Sequence, residues 1–306
     1  VWQVAWPRVA GPEWPCGANA AANELQHRGG ELLSVYHTPW RDAQRPAGKP
    51  MTVPKVRAAR RRNEKLVCIT AYDAPTAQLV DAAGVDLVLV GDSLATVVQG
   101  RSDTLAVTLD EMIYHAKLVR GGLQRALLVV DLPFGSFQQG PEATLAAAIR
   151  VLKESGAAAV KLEGGARVVA SVEACTRQDI PVLGHLGLTP QSVHALGGFR
   201  KQAKHDEAVR QLVADARALA DAGVFALVLE CVPSGAAQAV RDAVDVPVIG
   251  IGAGGGLDGQ ILVFHDLVGL LPQSPSFVRR FAELGQSTLA AVAEYGQAVR
   301  GGTFPE

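Results

Sequence analysis

Asp86-Leu-Val-Leu-Val-Gly-Asp-Ser93 reads as a strand that is apolar on both faces and stops on an acid and a hydroxyl. A strand buried on both faces belongs to a parallel sheet that is covered on either side. Ionisable residues at the C-terminal end of such a strand mark the end where α/β barrels carry their chemistry. Four later apolar runs end in the same manner, on Asp131, on Lys161 and Glu163, on His185 and on Glu230.

Working outward, the first strand is expected at Leu66–Tyr72 and the third at Leu127–Pro133. Ala158–Glu163, Asp179–His185, Phe225–Glu230 and Val246–Gly252 supply the fourth to seventh, and Phe264–Leu270 the eighth. Helical patterns fill the intervals. Thr108-Leu-Asp-Glu111 has capping-box spacing. Gly84, Gly156 and Gly223 stand where a helix ends and a strand follows, the place for a C′ glycine. Thr189-Pro190 predicts an N-cap followed by a first-turn proline. A last helix is expected near Ser276–Val299. Eight strands alternating with helices predict a (β/α)8 TIM barrel. The competing open sheet has no G-x-G-x-x-G after any strand to support it.

Residues 1–50 differ from the rest. All four tryptophans (Trp2, Trp6, Trp14 and Trp40) lie there, among Pro, Gly and Asn, without sustained periodicity. Translation is expected to start at Met51, the alternative being that the segment is a disordered or appended extension, and residues 51–306 are expected to be the catalytic barrel with its C-terminal helix. Arg57 to Arg62 form a short basic lead into the first strand. The formal net charge of -1 gives no reason to expect nucleic acid or an anionic membrane as partner. No apolar run reaches the roughly 18–20 residues that span a bilayer. Cys16, Cys68, Cys175 and Cys231 form no C-x-x-C pair, which fits a reducing cytoplasm rather than a zinc or disulfide framework.

Glu163 and Glu230 each fall seven residues after their helix-ending glycine, which places both at the barrel mouth. Lys161 and Glu163, two apart on one strand, share a face. The mouth is therefore expected to gather Asp92, Asp131, Glu163, Glu230, Lys161 and His185. So many buried acids need a compensating charge that one lysine cannot supply. An all-oxygen donor set favours Mg2+ or Mn2+ over zinc. Because Mg2+ takes few carboxylates directly, Asp92 and Asp131 are assigned the direct bonds, Glu163 a bond through water, and Glu230 none. Ser93 has two readings, a contact to a substrate carboxylate or a cap on the next segment. His185 also has two, a satisfied core group or an accessory at the mouth. Gly250–Gly256 either cradles a phosphate or packs closely.

Several motifs carry a resemblance. Thr70-Ala-Tyr-Asp73, Val90-Gly-Asp-Ser-Leu94, Lys161-Leu-Glu-Gly-Gly165, Gly184-His-Leu-Gly-Leu-Thr-Pro-Gln191, Leu229-Glu-Cys-Val-Pro233, Gly250-Ile-Gly-Ala-Gly254 and Asp258-Gly-Gln260 occur in order between about Leu66 and Pro305. Together they resemble the ketopantoate hydroxymethyltransferase family. The resemblance implies a Mg2+-dependent barrel of the phosphoenolpyruvate/pyruvate superfamily. It implies transfer of a hydroxymethyl group from 5,10-methylenetetrahydrofolate to 2-oxoisovalerate through a Mg-stabilised enolate, giving ketopantoate for pantothenate synthesis. It implies Asp92, Asp131 and Glu163 at the metal, Asp92, Ser93, Asp131 and Lys161 at the substrate, and Glu230 as proton acceptor. It also implies a homo-oligomer, decameric in many members. Two departures stand out: Ala95 replaces a glycine, and Gly197-Gly-Phe-Arg-Lys-Gln-Ala-Lys204 replaces a pattern close to Gly-Gly-Tyr-Lys-Val-Gln-Gly-Arg. The rival lyases of the superfamily carry a Lys-Cys-Gly-His segment that this chain lacks. A non-catalytic barrel would have no use for the intact acid and lysine set.

Overall fold

The computed structural model describes residues 49–305. The expected extension, apart from residues 49 and 50, lies outside the described residues. Eight parallel strands close in sequence order into one barrel: β1 (Leu66–Thr70), β2 (Leu87–Val90), β3 (Leu127–Asp131), β4 (Ala159–Glu163), β5 (Val182–Gly187), β6 (Ala226–Glu230), β7 (Val248–Ile251) and β8 (Gly259–Leu262), with β8 pairing back onto β1. This is the (β/α)8 barrel expected from the strand pattern.

The local signals act as expected around it. Thr108 accepts from the Glu111 amide at 3.2 Å while Glu111 accepts from the Thr108 amide at 2.7 Å, a closed capping box at the start of helix Leu109–Gly122. Helix Pro141–Ser155 ends on Gly156 at φ 72, the left-handed cap that glycine adopts without strain.

Side chains alternate between the two faces of each strand. One apolar cluster, including Val88, Val90, Leu128, Val130 and Val160, packs against the surrounding helices. A second, including Leu87, Leu89, Leu127, Val129, Ala159, Leu183, Val228 and Ile249, holds the alternate residues and fills the interior. Continuing the inward parity towards the C-terminal ends reaches Asp131, Lys161, Glu163, His185 and Glu230. The interior thus changes from apolar to ionisable over one strand length.

Three expectations need correction. The basic lead is part of a helix, α1 (Val53–Arg61), with Thr52 as N-cap and Pro54 in its first turn. Its Val56 and Ala59 join the interior cluster and cover the N-terminal end of the barrel. The Arg60 guanidinium donates to the Val246 and Arg241 carbonyls at 3.0 and 2.7 Å.

The eighth strand is Gly259–Leu262, and Phe264–Leu267, expected as strand, is a helical turn. A Cβ at Gly259 would stand 2.6 Å from the Leu66 carbonyl oxygen. The strand that closes the barrel therefore has glycine where a β-former would advertise it, and its Gln260 is exposed.

The last helix starts at Leu284, not near Ser276. Pro272 and Pro275 interrupt the preceding segment, where the Arg280 guanidinium instead donates to the Pro272 carbonyl and Ser274.

Candidate active site

Strand register brings the ionisable groups together. Asp131 pairs with Lys161 across β3 and β4, and Glu163 with His185 across β4 and β5. Lys161 Nζ lies 2.5 Å from Asp131 Oδ2 and 3.2 Å from Glu163 Oε1. Asp92, on the turn after β2, donates its amide to Asp131 Oδ2 at 3.4 Å. His185 stands between two acids, Nδ1 3.2 Å from Glu163 Oε1 and Nε2 3.4 Å from Glu230 Oε2, although neither approach is aligned as a hydrogen bond. His185 lies inside β5, two residues before its end, rather than at the strand end as expected. All these side chains are buried except that of Glu230, which is half-buried.

The electrostatics follow from burial. Burial pushes the Asp92 carboxyl well above its ordinary range, and Asp131 and Glu163 add to the shift. Burial also raises Asp131, although Lys161 beside it opposes. For Glu163, burial is outweighed by Lys161 and His185, which hold it down to about 2. Lys161 stays charged because Asp131, Glu163 and Asp92 overcome its desolvation. His185 is pushed up to about 9: burial and Lys161 work against the proton, while Glu163 and Glu230 more than offset them.

The donor set fits a divalent cation. Asp92, Asp131 and Glu163 each offer an oxygen within 4.8 Å of the others. Asp92 Oδ2 and Asp131 Oδ1 are buried acceptors without a partner, an arrangement that is costly unless a cation meets them. Glu163 differs, because both its oxygens are engaged: Oε1 by Lys161, and Oε2 by the Gln191 amide at 3.0 Å.

These groups line a cavity of about 640 Å3 that also includes Ser93, Phe199, Arg200, Lys201 and Phe277. Ser93 Oγ pairs with the Tyr72 hydroxyl at 2.7 Å and does not cap the short helix Leu94–Val97 that follows it. In the glycine-rich stretch after β7, Gly252 and Gly254 pack closely: a Cβ at Gly252 would stand 2.9 Å from the Phe277 ring, and one at Gly254 2.8 Å from Ser234 Cβ, whereas one at Gly255 would meet nothing within 4 Å.

Sequence reasoning gave no role to Tyr72 or Gln191. Both stand inside the resemblance motifs, but nothing local shows that the Gln191 amide reaches Glu163 across 28 residues. Thr189 makes no side-chain cap to the turn it precedes; the amide of Gln191 in that turn serves the acid instead. Ala203, which replaces a glycine of the resemblance pattern, has φ 51.

A family model for ketopantoate hydroxymethyltransferase matches residues 50–306. A protein of Oleidesulfovibrio alaskensis named 3-methyl-2-oxobutanoate hydroxymethyltransferase is 51% identical over 258 residues, covering 84% of this chain and 89% of its own. The protein of that name in Magnetococcus marinus is 52% identical over 258 residues, covering 84% and 96%. Among solved structures, a putative phosphonomutase from Burkholderia cenocepacia superposes with a TM-score of 0.58 at 17% identity, over 80% of this chain and 98% of that one. A 2,3-dimethylmalate lyase, described as a PEP mutase/isocitrate lyase superfamily member, gives 0.52 at 21% identity over 82% and 88%. Both share the barrel fold.

Proposed function

The chain belongs to the ketopantoate hydroxymethyltransferase family and is a transferase enzyme; from that premise we propose that it transfers a hydroxymethyl group from 5,10-methylenetetrahydrofolate to 2-oxoisovalerate, forming ketopantoate for pantothenate and coenzyme A synthesis. The observation that carries the reading is the pair of unpartnered buried oxygens, Asp92 Oδ2 and Asp131 Oδ1, beside Lys161 at the C-terminal end of the barrel.

Asp92 and Asp131 would hold Mg2+ directly, and Glu163, with both oxygens engaged, would act through water. The metal, when bound, supplies positive charge that stabilises enolate character in the keto acid. Lys161 adds fixed positive charge next to the substrate oxygens in a site where burial keeps water from screening it. Ser93, its hydroxyl oriented by Tyr72, contacts the substrate. Glu230 removes the C3 proton: it is the half-buried acid of the set, open to the cavity. His185 is the accessory that orients Glu230 from its Nε2 side. Hydrolysis of the donor's methylene bridge breaks its two C–N bonds, releasing tetrahydrofolate and leaving the carbon as formaldehyde with water's oxygen. The C3 carbanion attacks that carbon, and the alkoxide so formed takes the proton held by Glu230 to become the product hydroxyl.

The catalytic unit is assigned to residues 51–306, with residues 1–50 dispensable, so a chain beginning at Met51 should keep full activity. We assign a cytoplasmic homo-oligomer. Cys68, Cys175 and Cys231 are free thiols, and no helix among the described residues is long and apolar enough to cross a membrane. The final helix leaves Leu289, Val292 and Tyr295 exposed, which suits contact between copies.

The test is ketopantoate formation by the purified enzyme given Mg2+, 2-oxoisovalerate and the folate donor. Formation of product that stops with chelator supports the reading. Absence of product with metal present overturns it.

A further inference from the structure

The cavity is larger than the keto acid needs. About eight non-hydrogen atoms, at the roughly 30 Å3 that a water molecule occupies, fill roughly 240 Å3 of the 640 Å3 available. The remaining space has a different lining from the acid cluster. Asp92, Asp131 and Glu163 are buried, whereas Arg200 and Lys201 lie exposed on the loop that follows β5. Neither cation has an ion-pair partner among the described residues.

The loop is tied to the site: the Gln202 amide donates to the carbonyl of Cys231, the residue after Glu230, at 2.9 Å. Two large aromatic side chains also line the cavity while remaining partly open to solvent, Phe199 at 55% and Phe277 at 39% exposed. Phe277 rests against Gly252 after β7, two strands round the barrel from the Phe199 loop after β5. Unpaired cations beside exposed aromatic rings suit a ligand with a planar ring and an anionic tail.

We propose that this part of the cavity binds the one-carbon donor, with Arg200 and Lys201 receiving the carboxylates of its glutamate tail and Phe199 and Phe277 flanking its pterin ring. The assignment rests on the proposed function and adds to it the residues that select the second substrate. It also separates the charges by substrate: the keto acid is held among buried groups at the acid cluster, and the donor by exposed groups on the loop.

The test uses the double variant Arg200→Ala/Lys201→Ala, whose changes lie on an exposed loop. The donor KM should rise about tenfold, the scale of losing two exposed ion pairs. The KM for 2-oxoisovalerate, and deuterium exchange at its C3 without donor, should stay at wild-type values. In the wild type the donor KM should climb with ionic strength, and in the double variant it should be nearly flat. Phe199→Ala should raise the donor KM while keeping the salt dependence. A wild type that neither exchanges C3 nor makes ketopantoate overturns the proposed function, and this site with it. A competent wild type whose double variant keeps its donor KM, or loses keto-acid affinity in parallel, overturns the site alone.

Discussion

Replacing Lys161 with methionine keeps most of the side chain's length and removes its charge. The ammonium is 3% exposed as part of its residue, 2.5 Å from Asp131 Oδ2 and 3.2 Å from Glu163 Oε1. Its loss leaves two buried acids facing each other and Asp92. Breaking a buried pair by removing one partner costs about 3–5 kcal/mol. The two pairs share one cation, so their losses are not additive and the range applies once. In a domain of this size each kcal/mol moves Tm by about 2–4 °C, so the melting temperature in chelator should fall by about 6–20 °C. Added Mg2+ should raise Tm more in Lys161→Met than in the wild type, because it supplies the missing positive charge beside the same acids. Calorimetric or circular-dichroism melts with and without metal measure both effects. An unchanged Tm in chelator would refute the view that Lys161 holds this cluster together.

Asp92→Ala or Asp131→Ala should abolish activity and Mg2+-dependent keto-acid binding while the barrel stays folded; isothermal titration checks this, and normal ternary binding in both variants would remove these residues from the metal. Glu230→Gln should keep metal and keto-acid binding but slow C3 deuterium exchange by the ~10²–10⁴ typical of a lost general base. Exchange at the wild-type rate by NMR would move the base elsewhere, with His185 next. Ala203→Gly should stabilise the protein. A left-handed non-glycine residue costs roughly 1–2 kcal/mol, and glycine's extra chain entropy returns about 0.5–1. The net gain of up to about 1.5 kcal/mol predicts a Tm up to about 6 °C higher, and a lower Tm would show that the methyl group's packing outweighs the strain.

The barrel and the height of its chemistry were legible in the linear chain, because both depend on local periodicity. Apolar runs of strand length, three of them after a helix-ending glycine, define βα units, and the two-residue alternation along a strand places Lys161 and Glu163 on one face. The acids sit at the ends of those runs, so their arrival at one mouth follows from strand order alone. The eighth strand was hidden because barrel closure at Gly259 demands the absence of a side chain, which removes the signal that marks a strand. Helix α1 was hidden because its buried face is only Val56 and Ala59 among basic residues, and its partner, the open end of the barrel, exists only once the sheet has closed. The state of each carboxylate was also beyond the sequence. Whether an oxygen is free, as in Asp92 and Asp131, or engaged, as in Glu163 by Lys161 and the Gln191 amide, depends on groups brought from other strands and loops. Residue type and spacing determine which side chains point inward; only the closed tertiary structure decides what each one meets, because those contacts join segments that are distant in the chain.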